Sequence, residues 1–511
     1  MANTLDGLLS RFRGPLSDSY WAAVGLVVFA LVPFLGLTAA VYPLGPSISK
    51  SLGLSSSALD LTIGLADAAY AFGTVMAVQL ALHLPPRRML LCYVSTFFVA
   101  SVLSAWAPDA GVFIGAFITE GLCTSLMLIA AVPPLVTGWP PEKMPWTGSV
   151  MNLCIFGAVA IGPTVGGLQE STGSWRPLFW AVAGVGGLAL LSSLLTYEDS
   201  PPADKSAPFD LVAIALAACG CGAAFFGAGL LEADHRPTAG SVVPLAAGIA
   251  MVVALVVYEY RLKRPLMPVR QLATTLPVCG ILIAMCASSA AVGLMELIFV
   301  ALGKRTPPGH LALLFLPEFA AAAITAAIFG ALFRSRFTPL LALFGMAMLS
   351  VGAALLTGIA TGGDAAVAAG AGLIGLGVGS SVSPALFIAG FSLRSGQIQR
   401  VFALIELLRG VAAFLVAPIL VYLATVLAGS RAGGLRGAVL ICLGISAAGG
   451  VAALVLFLLG GGRLQDPDLV KWQECGEPAW ESPPLFSTLR GGTGAEQAPE
   501  KDEDDRQAKA S

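Results

Sequence analysis

Fourteen apolar stretches, each long enough to cross a bilayer, follow one another between Tyr20 and Leu459 with only short polar breaks between them. A spanning helix needs roughly 20 apolar residues, so these stretches consume most of a 511-residue chain. No soluble domain of ordinary size is left over. The fold class this dictates is all-α: a polytopic membrane protein with fourteen transmembrane helices. Composition agrees, with 57% hydrophobic and 11% charged residues and a mean hydropathy of +0.84, where a soluble domain is about 25% charged.

The spans are read as 20–44, 61–82, 89–106, 111–135, 149–168, 178–196, 211–231, 242–258, 275–302, 311–333, 339–357, 365–392, 401–428 and 437–459. Residues 1–19 carry Arg11 and Arg13 and no small-residue cleavage site before a short apolar core, so Tyr20 onward reads as a retained span and not a removed signal peptide. Lys and Arg then set the orientation. With the N-terminus inside, inner segments hold 14 of them (Arg87, Arg88 and Arg261 among them) and outer loops hold 7, such as Lys50, Arg176 and Lys304. The even span count puts the C-terminus inside as well. The expected location is the plasma (cytoplasmic) membrane, multi-pass, with both termini cytoplasmic.

Eight of the nine cysteines lie in spans, and Cys219 and Cys221, two apart, point to different helix faces. They read as small packing residues. The three histidines, His83, His235 and His310, sit singly in loops, so no metal-ligand spacing is present. Residues 464–511 are rich in Pro, Gly and acid and end near Lys501-Asp-Glu-Asp-Asp505. Such a composition buries too little apolar surface to fold alone, and the expectation for it is disorder.

Several motifs resemble the fourteen-span drug:proton antiporter branch of the major facilitator superfamily. The strongest is Gly157-Ala-Val-Ala-Ile-Gly162-Pro163-Thr-Val-Gly166-Gly167, followed by Trp175-Arg176-Pro-Leu-Phe179. It is similar to the antiporter motif of the fifth helix. Glu259-Tyr-Arg261 through Pro265-Leu266, and Pro308-Gly-His through Pro317, match further stretches in the expected order. The resemblance implies a 1–19 cytoplasmic N-terminus, a six-helix bundle over 20–196 and a cytoplasmic linker over 197–210. It then implies an inserted helix pair over 211–258 packed outside the bundles, a cytoplasmic loop over 259–274, a second six-helix bundle over 275–459 and a tail over 460–511. It further implies a monomer embedded in lipid, with a small-molecule substrate, no nucleic-acid partner, no cofactor and a proton gradient as the energy source.

The departures from the family pattern carry information too. Between helices two and three the family usually reads G-x-x-x-D-R-x-G-R-R; here Gln79 to Arg88 keeps only Arg87 and Arg88. In helix four, R-x-x-Q-G is replaced by Phe117-Ile-Thr-Glu120-Gly121. Standard proton coupling does not follow from these residues.

Ionisable side chains in hydrocarbon are costly and mark functional sites by default. The candidates are Glu120, Glu296, Asp67, Glu318, Glu406 and Arg409. A carboxyl that alternates between wet and dry surroundings can take up and release a proton. Glu120 lies near mid-depth of span four, which lines the central cavity in the resembled fold. Glu296 faces the same cavity from the other half, nearer the outside. These two are the leading coupling or substrate residues; the alternative is interhelical hydrogen bonding, or for Glu296 a carboxyl reaching the outer interface. Asp67 and Tyr70, one turn apart, suit either a gating contact or packing. Glu318 follows Pro317 and can serve backbone groups that the proline frees. Glu406 and Arg409 at i, i+3 can neutralise each other. Gly157, Gly162, Gly166 and Gly167 allow close helix approach around Pro163, either as a conformational pivot or as plain packing. Span twelve, rich in Gly and Ser, is expected to flex and expose carbonyls.

The function expected is secondary active transport: proton-coupled efflux, of the multidrug-resistance kind, of a lipophilic small molecule, neutral or cationic, by alternating access. Export or flipping of a lipid or natural-product amphiphile and uncoupled facilitation share every feature above. An integral membrane enzyme fits least, since no catalytic cluster marks the membrane surface.

Overall fold

The structure, a computed structural model, describes residues 16–196, 208–359, 362–427 and 431–488. Fourteen helices in it are long and apolar enough to cross a membrane. In chain order they are α1 (Tyr20–Leu52), α2 (Ser56–His83), α3 (Pro86–Trp106), α4 (Ala110–Thr137), α5 (Pro141–Glu170), α6 (Arg176–Thr196), α7 (Leu211–Asp234), α8 (Ala239–Arg261), α9 (Thr275–Leu302), α10 (Pro308–Leu332), α11 (Thr338–Leu356), α12 (Asp364–Phe391), α13 (Ile398–Val426) and α14 (Arg431–Leu459). A short helix, α15 (Leu469–Glu474), follows in the tail. Among the described residues there is no β-sheet, only an isolated bridge between Thr274 and Pro484.

Local chemistry sets the helix starts. Ser19, Ser55, Asp109 and Asp210 each accept a first-turn amide through the side chain (Ala22, Ala58, Val112 and Ala213), which satisfies donors the helix itself leaves open. Thr238 and Ser241 cap α8 reciprocally. The first loop is shorter than the hydropathy suggests. α1 continues through Pro43 and Pro46 to Leu52, where Gly53 in a left-handed conformation (φ 66°) ends it. This brings Pro46, expected in a loop, to the rim of a cavity beside Tyr42.

The first half, α1–α6, and the second, α9–α14, meet along two seams, α5 on α10 and α2 on α13. Small residues of α5 let backbones approach both within its own half and at the first seam. A Cβ on Gly162 would lie 2.5 Å from the Gly36 carbonyl oxygen of α1, and one on Gly167 would lie 2.8 Å from the Pro308 carbonyl oxygen of α10. The irregularity in α5 precedes Pro163: a π turn at Leu153–Gly157 breaks the regular ladder there.

Two expectations need correction. The inserted pair is not wholly peripheral. α8 packs on α7 and turns Val243, Val253 and Val257 outward, but α7 lies along the second seam against both α2 and α13. The tail is not wholly disordered either. Residues 463–488 fold back on the ends of α9 and α12, with Trp472 and Trp480 buried. Two indoles supply the apolar surface that the average composition conceals. Residues 489–511, like 1–15 and the 197–207 part of the linker, lie outside the described residues.

Span twelve also departs from expectation. α12 is one continuous helix with Pro384 inside it. The Gly379 carbonyl accepts the Asn152 side-chain amide of α5 (2.9 Å), and Ser383 donates to Asn152 Oδ1 (3.1 Å). The small residues of α12 thus receive a polar side chain from the other half.

Candidate functional site

Tyr20 packs beside Lys143 and Thr147, and tail residue Gln473 bonds to Thr137 and Trp139. The starts of α1 and α5, the end of α4 and the tail therefore share one face of the bundle, the terminal face. The opposite, distal face opens into a cavity of about 920 Å³ between the halves, lined by Tyr42, Asp60 and Glu170 on one side and Phe299, Lys304 and Leu311 on the other. Two aromatic rings line it, Tyr42 stacked on Phe299 (6.0 Å between ring centroids), and buried Phe315 backs Phe299 (4.8 Å).

At the floor of this cavity lies a small void of about 30 Å³ that four carboxylic acids line: Asp60 and Asp67 of α2, Glu232 of α7 and Glu296 of α9. Tyr42 of α1 donates its phenol to Glu296, closing the void across the halves. Asp67 is 6% exposed and faces the void, and its carboxyl makes no hydrogen bond among the described residues. Among the described residues, no Lys, Arg or His lines it. Negative charge held there must be balanced by protons or by a bound cation, since an unpaired charge in a low-dielectric site is costly.

Deeper toward the terminal face the polar chain continues. Arg409 grips Glu406 through Nη2 (2.5 Å) and Nε (3.1 Å), with both side chains buried. Tyr70 of α2 donates to the same Glu406 oxygen (3.4 Å), and the guanidinium lies 5.6 Å from the Phe156 ring of α5. This pair is not self-contained, because it binds α13 to α2 and α5 of the other half. Below it the halves are closed around Leu128, Ile129, Met151, Ile155 and Phe402. Gln399 of α13 donates to the Ile129 carbonyl of α4 there (3.1 Å). The cavity is open on one face and shut on the other.

The family model of the Major Facilitator Superfamily matches residues 24–417, from the first span into the thirteenth. The chain belongs to that superfamily. Among its relatives, the uncharacterized MFS-type transporter YubD of Bacillus subtilis is 25% identical over 269 residues, 52% of this chain and 52% of the relative. The multidrug resistance protein Stp of Mycobacterium tuberculosis (strain H37Rv) is 27% identical over 361 residues, 67% of this chain and 64% of the relative. The matched part is thus about half the length of YubD and less than two thirds of Stp. The crystal structure of the human organic anion transporter MFSD10 (TETRAN) superposes with a TM-score of 0.57 at 13% identity, covering 84% of this chain and 99% of that one, a likeness of fold alone.

Within this major facilitator fold the six predicted side chains separate. Glu296 and Asp67 share the acidic floor, and Glu406 with Arg409 holds the layer beneath. Glu120 does not face the cavity. It is fully buried beside Ser101 and Ser104 of α3, because Gly121 next to it packs against the Ala66 backbone of α2 and turns the carboxyl the other way. Glu318 also stays apart, on α10 where Gly375 of α12 packs against its backbone. Its Oε2 is buried without a partner, so that oxygen does not serve the backbone that Pro317 frees. Asp60, Glu232, Tyr42 and Asn152 are the functional candidates that sequence reasoning missed. Asp60 and Glu232 each lie one residue outside a predicted span, and Asn152 is a lone amide within a 20-residue apolar run.

Proposed function

We propose that this transporter exports a lipophilic, cationic small molecule across the cytoplasmic membrane in exchange for protons, by alternating access. The observation that carries the reading is the group of four carboxyls, free of any cationic lining residue, at the base of a cavity between the two halves. Protons and a cationic cargo compete for such a group, and that competition links their movements. The aromatic rings of Tyr42 and Phe299, the latter backed by buried Phe315, offer apolar and cation–π contacts to the body of the cargo. The printed name of Stp, a multidrug resistance protein, supports the same substrate class.

In this reading both termini are cytoplasmic, the distal face is external, and the structure is the outward-facing state. Asp67 and Glu296 take the coupling role, with Asp60 and Glu232 completing the charge. The test is uptake of lipophilic cations and neutral amphiphiles into inverted vesicles, with and without a proton gradient. Gradient-driven accumulation of cations that both Asp67→Asn and Glu296→Gln abolish is expected. Accumulation that ignores the gradient, or that survives both substitutions, overturns the reading.

A further inference from the structure

We propose that residues 464–488 are a latch that holds the terminal face shut and must release one half of the molecule in every transport cycle. The segment is anchored firmly to the second half. Gly461 at φ 70° reverses the chain after α14, and Asp468 caps α15 by accepting the Lys471 amide (3.0 Å). Trp472 is fully buried, its ring 4.5 Å from Phe391 and its Nε1 donating to the Leu393 carbonyl at the end of α12 (2.9 Å). The Ala479 amide donates to the Phe391 carbonyl (2.8 Å). Farther along, the Thr275 amide donates to the Pro483 carbonyl (3.0 Å) and the Leu276 amide to Ser482 Oγ (2.9 Å). These contacts tie the segment to α9 and α12.

The next residue after the anchoring indole reaches the other half. Gln473 Nε2 donates to the carbonyls of Thr137 (2.9 Å) and Trp139 (2.7 Å), where α4 ends and the loop to α5 begins. Those carbonyls belong to a helix end, where acceptors lack an intrahelical partner. One amide thus satisfies two acceptors on the first half while its own backbone rides with the second. When the halves rock apart on this face, the Trp472 anchor can stay seated but the Gln473 bonds cannot. The segment therefore weights the equilibrium toward the closed terminal face by the strength of those two bonds. It rests on alternating access alone, so its failure is distinguishable from failure of the cation–proton reading.

The test needs no cargo. Met151, 4% exposed, lines the closed seam beside Ile129 and Glu406. Met151→Cys in the full-length protein in nanodiscs is treated with a membrane-impermeant maleimide, and modification is read by peptide-resolved mass spectrometry. Gln473→Ala should speed modification of that cysteine about tenfold, a change equivalent to about 1.4 kcal/mol. Lys471→Ala, which removes only the exposed ion pair to Glu477 (2.7 Å), should leave the rate unchanged. Conversely, a short bis-thiosulfonate bridge between Thr137→Cys and Gln473→Cys should slow modification at least tenfold, and reductant should restore it. An unchanged rate in Gln473→Ala, or a bridged protein modified as fast as the unbridged one, overturns the latch.

Discussion

Tyr42 of α1 donates its phenol to the Glu296 carboxyl of α9, and that bond joins the two halves of the molecule across 254 residues of sequence. It sits where the wide distal cavity narrows onto the acidic floor. A hydrogen bond to a charged group contributes about 1.5–3 kcal/mol, enough to bias a two-state equilibrium strongly. Tyr42→Phe should therefore open this layer. It should lower the thermal unfolding midpoint, and a double-mutant cycle with Glu296→Gln should return a coupling energy of about 1–3 kcal/mol. Independent, additive effects would mean that the contact carries no cross-half coupling.

Asp67 offers the opposite case, a buried carboxyl with no bond to lose. Removing a charge that nothing in the protein pairs should not destabilise the fold. Asp67→Asn is expected to keep or raise the unfolding midpoint while lowering cation efflux by at least about tenfold, the effect of roughly 1.4 kcal/mol. Loss of stability together with loss of transport would instead mark Asp67 as a packing residue.

How far these features were readable beforehand depends on which physical signal each one leaves. The fourteen spans and their grouping into halves follow from hydropathy and motif order, because apolar length is a one-dimensional property. Facing is not. Glu120 has the depth of a cavity residue, yet its rotation is set by Gly121 packing against Ala66, a contact that one chain alone does not encode. Asp60 and Glu232 escape detection because charged residues define the edges of apolar windows, so an acid just past an edge reads as loop. In the structure the helices run on, and both acids are lining residues. The tail misleads by averaging, since Trp472 and Trp480 contribute little to composition yet are buried where it seats.

The Glu406–Arg409 pair should behave as a unit. Truncating one partner of a buried ion pair leaves the other uncompensated, at a cost of about 3–5 kcal/mol. Arg409→Met should strand Glu406 between the halves and sharply reduce folded protein in detergent. The Glu406→Gln, Arg409→Met double variant should recover much of that loss, because no net charge remains at the seam. Thermal unfolding of the three variants by intrinsic fluorescence decides the matter; a double variant as unstable as Arg409→Met would show that the two side chains act separately.

Two glycines of the same α5 motif are expected to differ in tolerance. At Gly166 an added Cβ would overlap the Ala40 carbonyl oxygen and lie 2.8 Å from both the Ala40 Cα and the Pro43 ring of α1. Backbone cannot yield there without moving a whole helix. At Gly157 the obstruction is the Leu153 side chain (2.7 Å), which is exposed and can change rotamer. Gly157→Ala should therefore be nearly neutral, within about 1 kcal/mol, and its gain in helix propensity offsets part of the crowding. Gly166→Ala should cost about 1–3 kcal/mol by overpacking and push α1 away from α5. Because α1 carries Tyr42, the same displacement should weaken the Tyr42–Glu296 contact and reduce cation efflux in Gly166→Ala but not in Gly157→Ala. Paired measurements of the unfolding midpoint and of efflux in both variants test this. Equal tolerance at the two positions would show that the α1–α5 contact is looser than the structure has it.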